Sequence, residues 1–183
     1  LEEAIVSCGD VGSERGKEVV YKHFYGSVLA VTRRYVKDEY DAEELANETF
    51  IRAFSKAGTF QNTNPSLTLE RAFRAWLSRI AANMSIDFIR ARKTFVPLDD
   101  IGEAVKPVEV KSTASDLHVE DILKLLERLP DIQRVIFNMY EVEGYSHEEV
   151  GKLLGIPEST SRTYLSRAKQ RLKKLYAASF GVK

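Results

Sequence analysis

One cysteine, Cys8, stands among 183 residues, so neither a disulfide framework nor a cysteine-rich zinc site can be built. Histidine is nearly as scarce, and His23, His118 and His147 lie far apart. His147-Glu148-Glu149-Val150-Gly151 approaches the zinc signature H-E-x-x-H, but Gly151 stands where the second histidine is required. No glycine-rich phosphate loop is present. These absences leave no catalytic residue, no metal and no cofactor to expect, and the enzyme reading is set aside. No run reaches the ~18 apolar residues of a membrane helix, so direct membrane insertion is not expected. The first residues lack a basic start before an apolar core, so a secretion signal is not expected and a cytoplasmic protein is the default. Sustained period-2 alternation is missing, and so is an internal repeat.

Net charge is lacking too, and a total of zero argues at first against a nucleic acid partner. The sum hides a segregated pattern. Asp38, Glu39, Asp41, Glu43, Glu44 and Glu48 form an acidic block without a base. Arg71, Arg74, Arg79, Arg90, Arg92 and Lys93 follow, against Asp87 alone. Asp99, Asp100, Glu103, Glu109, Asp116, Glu120 and Asp121 then outweigh Lys106 and Lys111. The end is basic again, through Arg162, Arg167, Lys169, Arg171, Lys173, Lys174 and Lys183 against Glu158. Alternating blocks create local fields that a summed charge conceals.

What is present in abundance is helical periodicity. Val20, Phe24, Val28, Val31 and Tyr35 line one helix face. Ala42, Leu45, Ala46, Thr49, Phe50, Ala53 and Phe54 form a second stripe, which Asp41 is placed to cap and Gly58 to end. Phe73, Trp76, Leu77, Ile80, Met84 and Phe88 form a third. Residues 59–70 between the last two make a long polar loop, of a length more often functional than merely connecting. The period stops from Thr94 to about Ser115, where Pro97, Pro107 and acids give no packable face. Asp116 opens a new helical region with Val119, Ile122, Leu123, Leu126 and Leu129 at helical spacing. Pro130 interrupts, and Ile132, Val135, Ile136, Met139 and Tyr140 predict the next helix. The fold class expected is all-α: two small helical domains, residues 1–95 and 116–183, joined by a flexible acidic linker over 96–115.

The stretch from Tyr145 to Lys174 carries the most chemistry. Ser146 and Glu149 have the spacing of a capping box. Gly155-Ile156-Pro157 predicts a sharp turn, with Gly at a left-handed cap and Pro starting the next helix. Helix, short glycine turn and helix is the helix-turn-helix outline. In the second helix Ser161, Leu165, Ala168, Leu172 and Leu175 must face inward, which leaves Arg162, Thr163, Ser166 and Arg167 together outside. Arginine takes guanine bidentately and small hydroxyl residues let the backbone approach, so this face suits a major groove. Lys169, Arg171, Lys173 and Lys174 can neutralise phosphates. A surface helix hairpin with a basic outer face is the plainer alternative.

This stretch resembles region 4, the promoter-reading domain, of bacterial extracytoplasmic-function sigma factors (group 4 of the sigma-70 family). The resemblance implies −35 contacts by Thr160, Arg162, Thr163, Tyr164, Ser166, Arg167 and Lys169. Three residues depart from the family pattern: Gly151 replaces a usual Ala, at ~1 kcal/mol of helix propensity; Ser161 replaces an inward aliphatic residue; Tyr164 replaces a frequent Arg.

The first half resembles the same family. "DEYDAEELANETFIRAF" is similar to region 2.2, which implies that Asp41, Glu44, Asn47 and Glu48 bind the clamp coiled coil of the polymerase β′ subunit. Without the resemblance an acidic exposed face is ordinary. "FRAWLSRIAANMSIDFIRARK" is similar to the helix that melts and reads the −10 element, with Arg74, Asn83, Asp87 and Arg90 on its polar positions and Trp76 and Arg79 also implied in −10 binding. Trp76 also fits a core role, and Asp87–Arg90 also fits a plain i,i+3 pair. The preceding loop, with Asn62 and Asn64, is polar enough to read a flipped base edge. The implied function is a promoter-specificity subunit of bacterial RNA polymerase. It would bind core polymerase at β′ and near the β flap, recognise and melt promoter DNA, and be held by an anti-sigma factor. The alternative is a stand-alone helix-turn-helix regulator acting on duplex DNA.

Overall fold

The computed structural model describes residues 1–10, 12–92 and 119–180. The expected linker over 96–115, and the helix start expected at Asp116, lie outside the described residues. Among the described residues every regular element is helical: α1 Glu2–Ser7, α2 Glu14–Tyr35, α3 Glu39–Lys56, α4 Leu69–Arg92, α5 Val119–Glu127, α6 Asp131–Phe137, α7 His147–Leu154 and α8 Glu158–Phe180. By contacts the chain divides into two compact units, Leu1–Asp87 and Phe88–Lys183.

In the first unit the stripe of α2 is buried as its period predicts, with Val20, Phe24, Val28, Val31 and Tyr35 all inside. It meets Ala42, Leu45, Ala46, Thr49, Phe50 and Ala53 of α3. Thr32 locks the pair, because its buried hydroxyl donates to the Ala42 carbonyl at 2.9 Å. The cap of α3 differs from expectation: the Asp38 side chain accepts from the Asp41 amide at 3.0 Å, so Asp41 is the capped residue and not the cap. Gly58 does not end α3 in a left-handed conformation either; it lies in a 3-10 turn over Ala57–Thr59.

α4 is rotated from the face its apolar stripe suggests. Phe73, Leu77, Ala81, Ala82, Ser85, Ile86 and Ile89 are buried, while Trp76, Ile80, Met84 and Phe88 sit at the margin. The helix contacts both of its neighbours, through Phe73 against Phe24 of α2 at 5.4 Å and Met84 against Thr49 of α3 at 3.7 Å. Contact with both neighbours widens its buried arc, which includes the small residues Ala81, Ala82 and Ser85.

In the second unit α8 is the axis. Leu125 packs on Leu175, with Leu172, Tyr176 and Phe180 around them, and Leu126 and Leu129 pack on Ala168. Ile122, expected inside, is 41% exposed, because α5 presents Leu125 and Leu126 instead, with Leu129 buried just beyond its end. α6 runs on into a π-helical turn over Asn138–Val142. A π turn holds an extra residue, which breaks the 3.6-residue period. Met139 is fully buried, whereas Tyr140, expected in the same stripe, is exposed.

Candidate nucleic-acid and polymerase interface

The helix-turn-helix forms as its caps dictate. Ser146 Oγ accepts from the Glu149 amide at 3.2 Å, and the Glu149 carboxylate accepts from the Ser146 amide at 2.8 Å. Gly155 ends α7 in the left-handed region, at φ 67° and ψ 33°. The Ile156 amide closes back on the Gly151 carbonyl at 3.0 Å. The departure at Gly151 has a reason in this turn. A Cβ there would stand 2.8 Å from the Ile156 carbonyl oxygen, closer than real contacts allow. Glycine therefore lets the turn fold tightly over α7.

On α8, Ser161, Leu165, Ala168 and Leu175 are buried, and Arg162, Thr163, Ser166 and Arg167 are exposed together. Arg162 is paired with Glu158 one turn earlier. Lys169 is exposed and paired with Glu141 of the π turn at 2.7 Å. Thr160 is half-buried at the edge of this face. Tyr164 corrects the expectation: it is 9% exposed. Its place three residues after Ser161 and four before Ala168 turns its ring to the inward side.

On α4, Trp76, Arg79, Asn83, Asp87 and Arg90 follow one another at helical spacing, and all but Trp76 are well exposed. Trp76 is half-buried, with Phe60 at 5.4 Å and Phe73 at 5.2 Å between ring centroids. Trp76 thus packs in part against these two rings and stays in part exposed. Arg74 does not share that face. Its guanidinium lies over Phe24 at 5.2 Å and donates to Glu70 at 2.9 Å. His23 also reaches Glu70, at 3.1 Å, and these two partners hold the Glu70 carboxyl below its ordinary range.

The loop before α4 is braced from within. Asn62 Nδ2 donates to the Leu67 carbonyl at 2.9 Å, and its Oδ1 accepts from the Asn64 amide at 3.2 Å. Asn64 Oδ1 accepts from the Ser66 amide at 3.0 Å. The Asn62 amide is thus engaged at both ends, while Gln61 and Thr63 beside it are exposed.

On α3, Glu44, Asn47 and Glu48 are exposed and Asp41 is half-buried on the same side. Asn47 accepts from the Tyr21 hydroxyl at 2.9 Å. Sequence reasoning missed the apolar residues that flank these acids: Tyr40 is 74% exposed and Ile51 71%. The signal was available, because Ile51 follows Glu44 by seven residues and Glu48 by three, off the apolar stripe.

A sigma-70 region 2 family matches residues 20–95, and a sigma-70 region 4 family matches residues 120–172. The ECF RNA polymerase sigma factor SigW of Bacillus subtilis is 30% identical, over 77% of this chain and 78% of its own length. This chain is an extracytoplasmic-function sigma factor. SigM of the same organism is 28% identical over 86% of the chain and 93% of its own length. Among solved structures, the sigma factor RpoE of Bartonella quintana, in complex with the anti-sigma factor NepR, shares the fold at 22% identity and a TM-score of 0.50. That match covers 87% of this chain and 95% of the other. Extracytoplasmic-function sigma factors are promoter-specificity subunits of bacterial RNA polymerase and not catalytic enzymes. Nothing found favours a stand-alone regulator. Among the described residues no helix is long and apolar enough to cross a membrane, and no group of His, Cys, Asp and Glu could hold a metal ion.

Proposed function

We propose that this sigma factor divides its work as its two matched regions suggest, with residues 1–95 serving core binding and the −10 element and residues 116–183 the −35 element. The observation that carries the reading is the exposed cluster Arg162, Thr163, Ser166 and Arg167 on a helix-turn-helix whose inward face is fully used. That cluster offers two guanine-binding forks beside small hydroxyls, with Lys169, Arg171, Lys173 and Lys174 for phosphates. Thr160 stands at its edge.

The outer face of α4 supplies Trp76, Arg79, Asn83, Asp87 and Arg90 for a melted −10 strand. Asn62 shapes the loop before it, and Asn64 shares in that brace. The acidic face of α3 (Asp41, Glu44, Asn47 and Glu48, with Tyr40 and Ile51) fits a basic, partly apolar coiled coil such as the β′ clamp. The second unit docks near the β flap. An anti-sigma factor is the regulatory partner, a reading supported by the complex in which the Bartonella relative was solved. The protein acts in the cytoplasm without cofactor or catalysis of its own.

Run-off transcription with bacterial core polymerase on a pool of genomic promoter fragments tests this. New start sites sharing motifs near −35 and −10 are expected, and Arg162→Ala and Arg167→Ala should blur the upstream motif alone. An unchanged −35 motif in both variants would overturn the assignment of that face.

A further inference from the structure

Ser161 is fully buried in α8, where a hydroxyl without a partner would be destabilising. The partner comes from the other helix of the pair. His147 Nδ1 lies 2.9 Å from Ser161 Oγ, and the imidazole is only 8% exposed. The same ring stacks on Tyr140 of the π turn, at 4.2 Å between centroids and 22° between planes. One imidazole thus ties together the first residue of α7, the π turn and the start of α8. Ser161 immediately precedes Arg162, so whatever fixes Ser161 fixes the rotation of α8 at its reading end.

We infer that His147 is a positioning residue for sequence reading: its bond to Ser161 sets the rotation of α8, and so where Arg162 and Arg167 meet the base edges. This rests on α8 being the reading helix. Bidentate recognition is intolerant of rotation, because both N–H groups of a guanidinium must align with two acceptors at once. The leucines of α8 fix its depth, but an apolar face tolerates small rotations that a directional hydrogen bond does not.

The groups facing the imidazole decide which protonation state serves. Arg162, Glu158 and Lys169 face it from α8, and Glu141 and Tyr140 from the π turn. Its own helix carries Glu148 and Glu149. Burial first, and Arg162 next, hold His147 below its ordinary value of 6.5. The latch therefore works with a neutral ring. A proton on it places a second cation beside Arg162 and pushes that guanidinium away from its aim.

The experiment uses the full chain bound to core polymerase. Its probes are a promoter duplex located by start-site mapping and the same duplex with the −35 element scrambled. The ratio of the two apparent affinities cancels general phosphate attraction and is followed from about pH 8 to pH 5.5. In the wild type the ratio should be constant at the upper end and fall on acidification. His147→Phe keeps the stacked ring without the bond, and Ser161→Ala removes the hydroxyl. Each should lower the ratio at neutral pH by about five-fold or more, and His147→Phe, which removes the titrating ring, should also abolish its pH dependence. The double variant should lose no more than either single one, and His147→Asn, which retains an acceptor near Nδ1, should recover part of the ratio.

An unchanged ratio in both single variants, additive losses, or a wild-type ratio independent of pH would each overturn the inference. If either substitution unfolds the second unit, the wild-type pH profile and His147→Asn decide. A wild-type complex that ignores scrambling of the −35 element at every pH would instead overturn the reading of α8 itself.

Discussion

Lys169 Nζ lies 2.7 Å from Glu141 Oε1, which joins the DNA-facing helix to the π turn that ends α6. The pair is half-exposed, so it stabilises the fold by less than about 1 kcal/mol. Its larger effect is on charge, because the lysine expected on a phosphate is already partnered. Glu141→Gln should therefore strengthen duplex binding a few-fold without regard to sequence. The slope of log affinity against log salt should steepen by about 0.9, for one added phosphate contact. A salt slope equal to wild type would show that Lys169 does not reach the backbone.

Helix propensity alone predicts that Gly151→Ala stabilises the protein by about 1 kcal/mol. The structure reverses the sign. The added Cβ would stand 2.8 Å from a backbone oxygen of the Gly155–Pro157 turn, which cannot swing aside as a side chain can. A net loss of about 1–3 kcal/mol is expected in urea unfolding. A gain would mean that the turn opens at little cost.

The second unit should lose stability in mild acid through His147. Burial, and then Arg162, lower its folded-state pKa from 6.5, while the unfolded chain takes up the proton at the ordinary value. Below that value the unfolded chain binds more protons than the folded one. The stability is therefore complete above about pH 6.5 and declines as the pH falls toward the folded pKa. Thermal melts between about pH 8 and pH 5 check this. His147→Phe should flatten that part of the curve, and an identical curve would assign the loss to other groups.

The β′ share of core binding should answer to α3. Glu48→Lys places a like charge against a basic partner and should slow association, most strongly at low salt. Ile51→Asp should weaken the complex by about 1–2 kcal/mol through lost apolar burial, with little effect on folding because the side chain is 71% exposed. Promoter choice should be the same in both variants. Equal affinity for core, measured by competition with wild type, would remove this face from the polymerase interface.

Replacing Arg162 or Arg167 by alanine should cost about 1–3 kcal/mol at a single base position each and relax the preference there. Lys173→Ala should instead weaken all duplexes alike. Sequencing of duplexes selected by each variant separates the two outcomes. A uniform loss from Arg162→Ala would make it a phosphate contact.

Much of this protein was legible from short-range chemistry. The stripe of α2, the Ser146–Glu149 capping box, the left-handed Gly155 and the outward cluster on α8 each depend on residues a few positions apart, where helical period and cap geometry leave little choice. The acidic face of α3 and the exposed arc of α4 were visible for the same reason.

The remainder was decided by packing between distant segments. α4 carries apolar residues over a wide arc, so its sequence could not tell which of them would be central, and contact with both α2 and α3 chose Phe73, Leu77 and Ile86. No period announces the π turn over Asn138–Val142. Asp38 and Asp41 are equally good caps by type, and the path of the chain into α3 selected Asp38. Gly151 and Ser161 looked like local weaknesses until the turn and His147 were seen against them. Sequence determined which faces exist, because that is a matter of neighbours along one helix. Tertiary structure determined which faces meet, because close packing is settled only when every helix competes for the same interior.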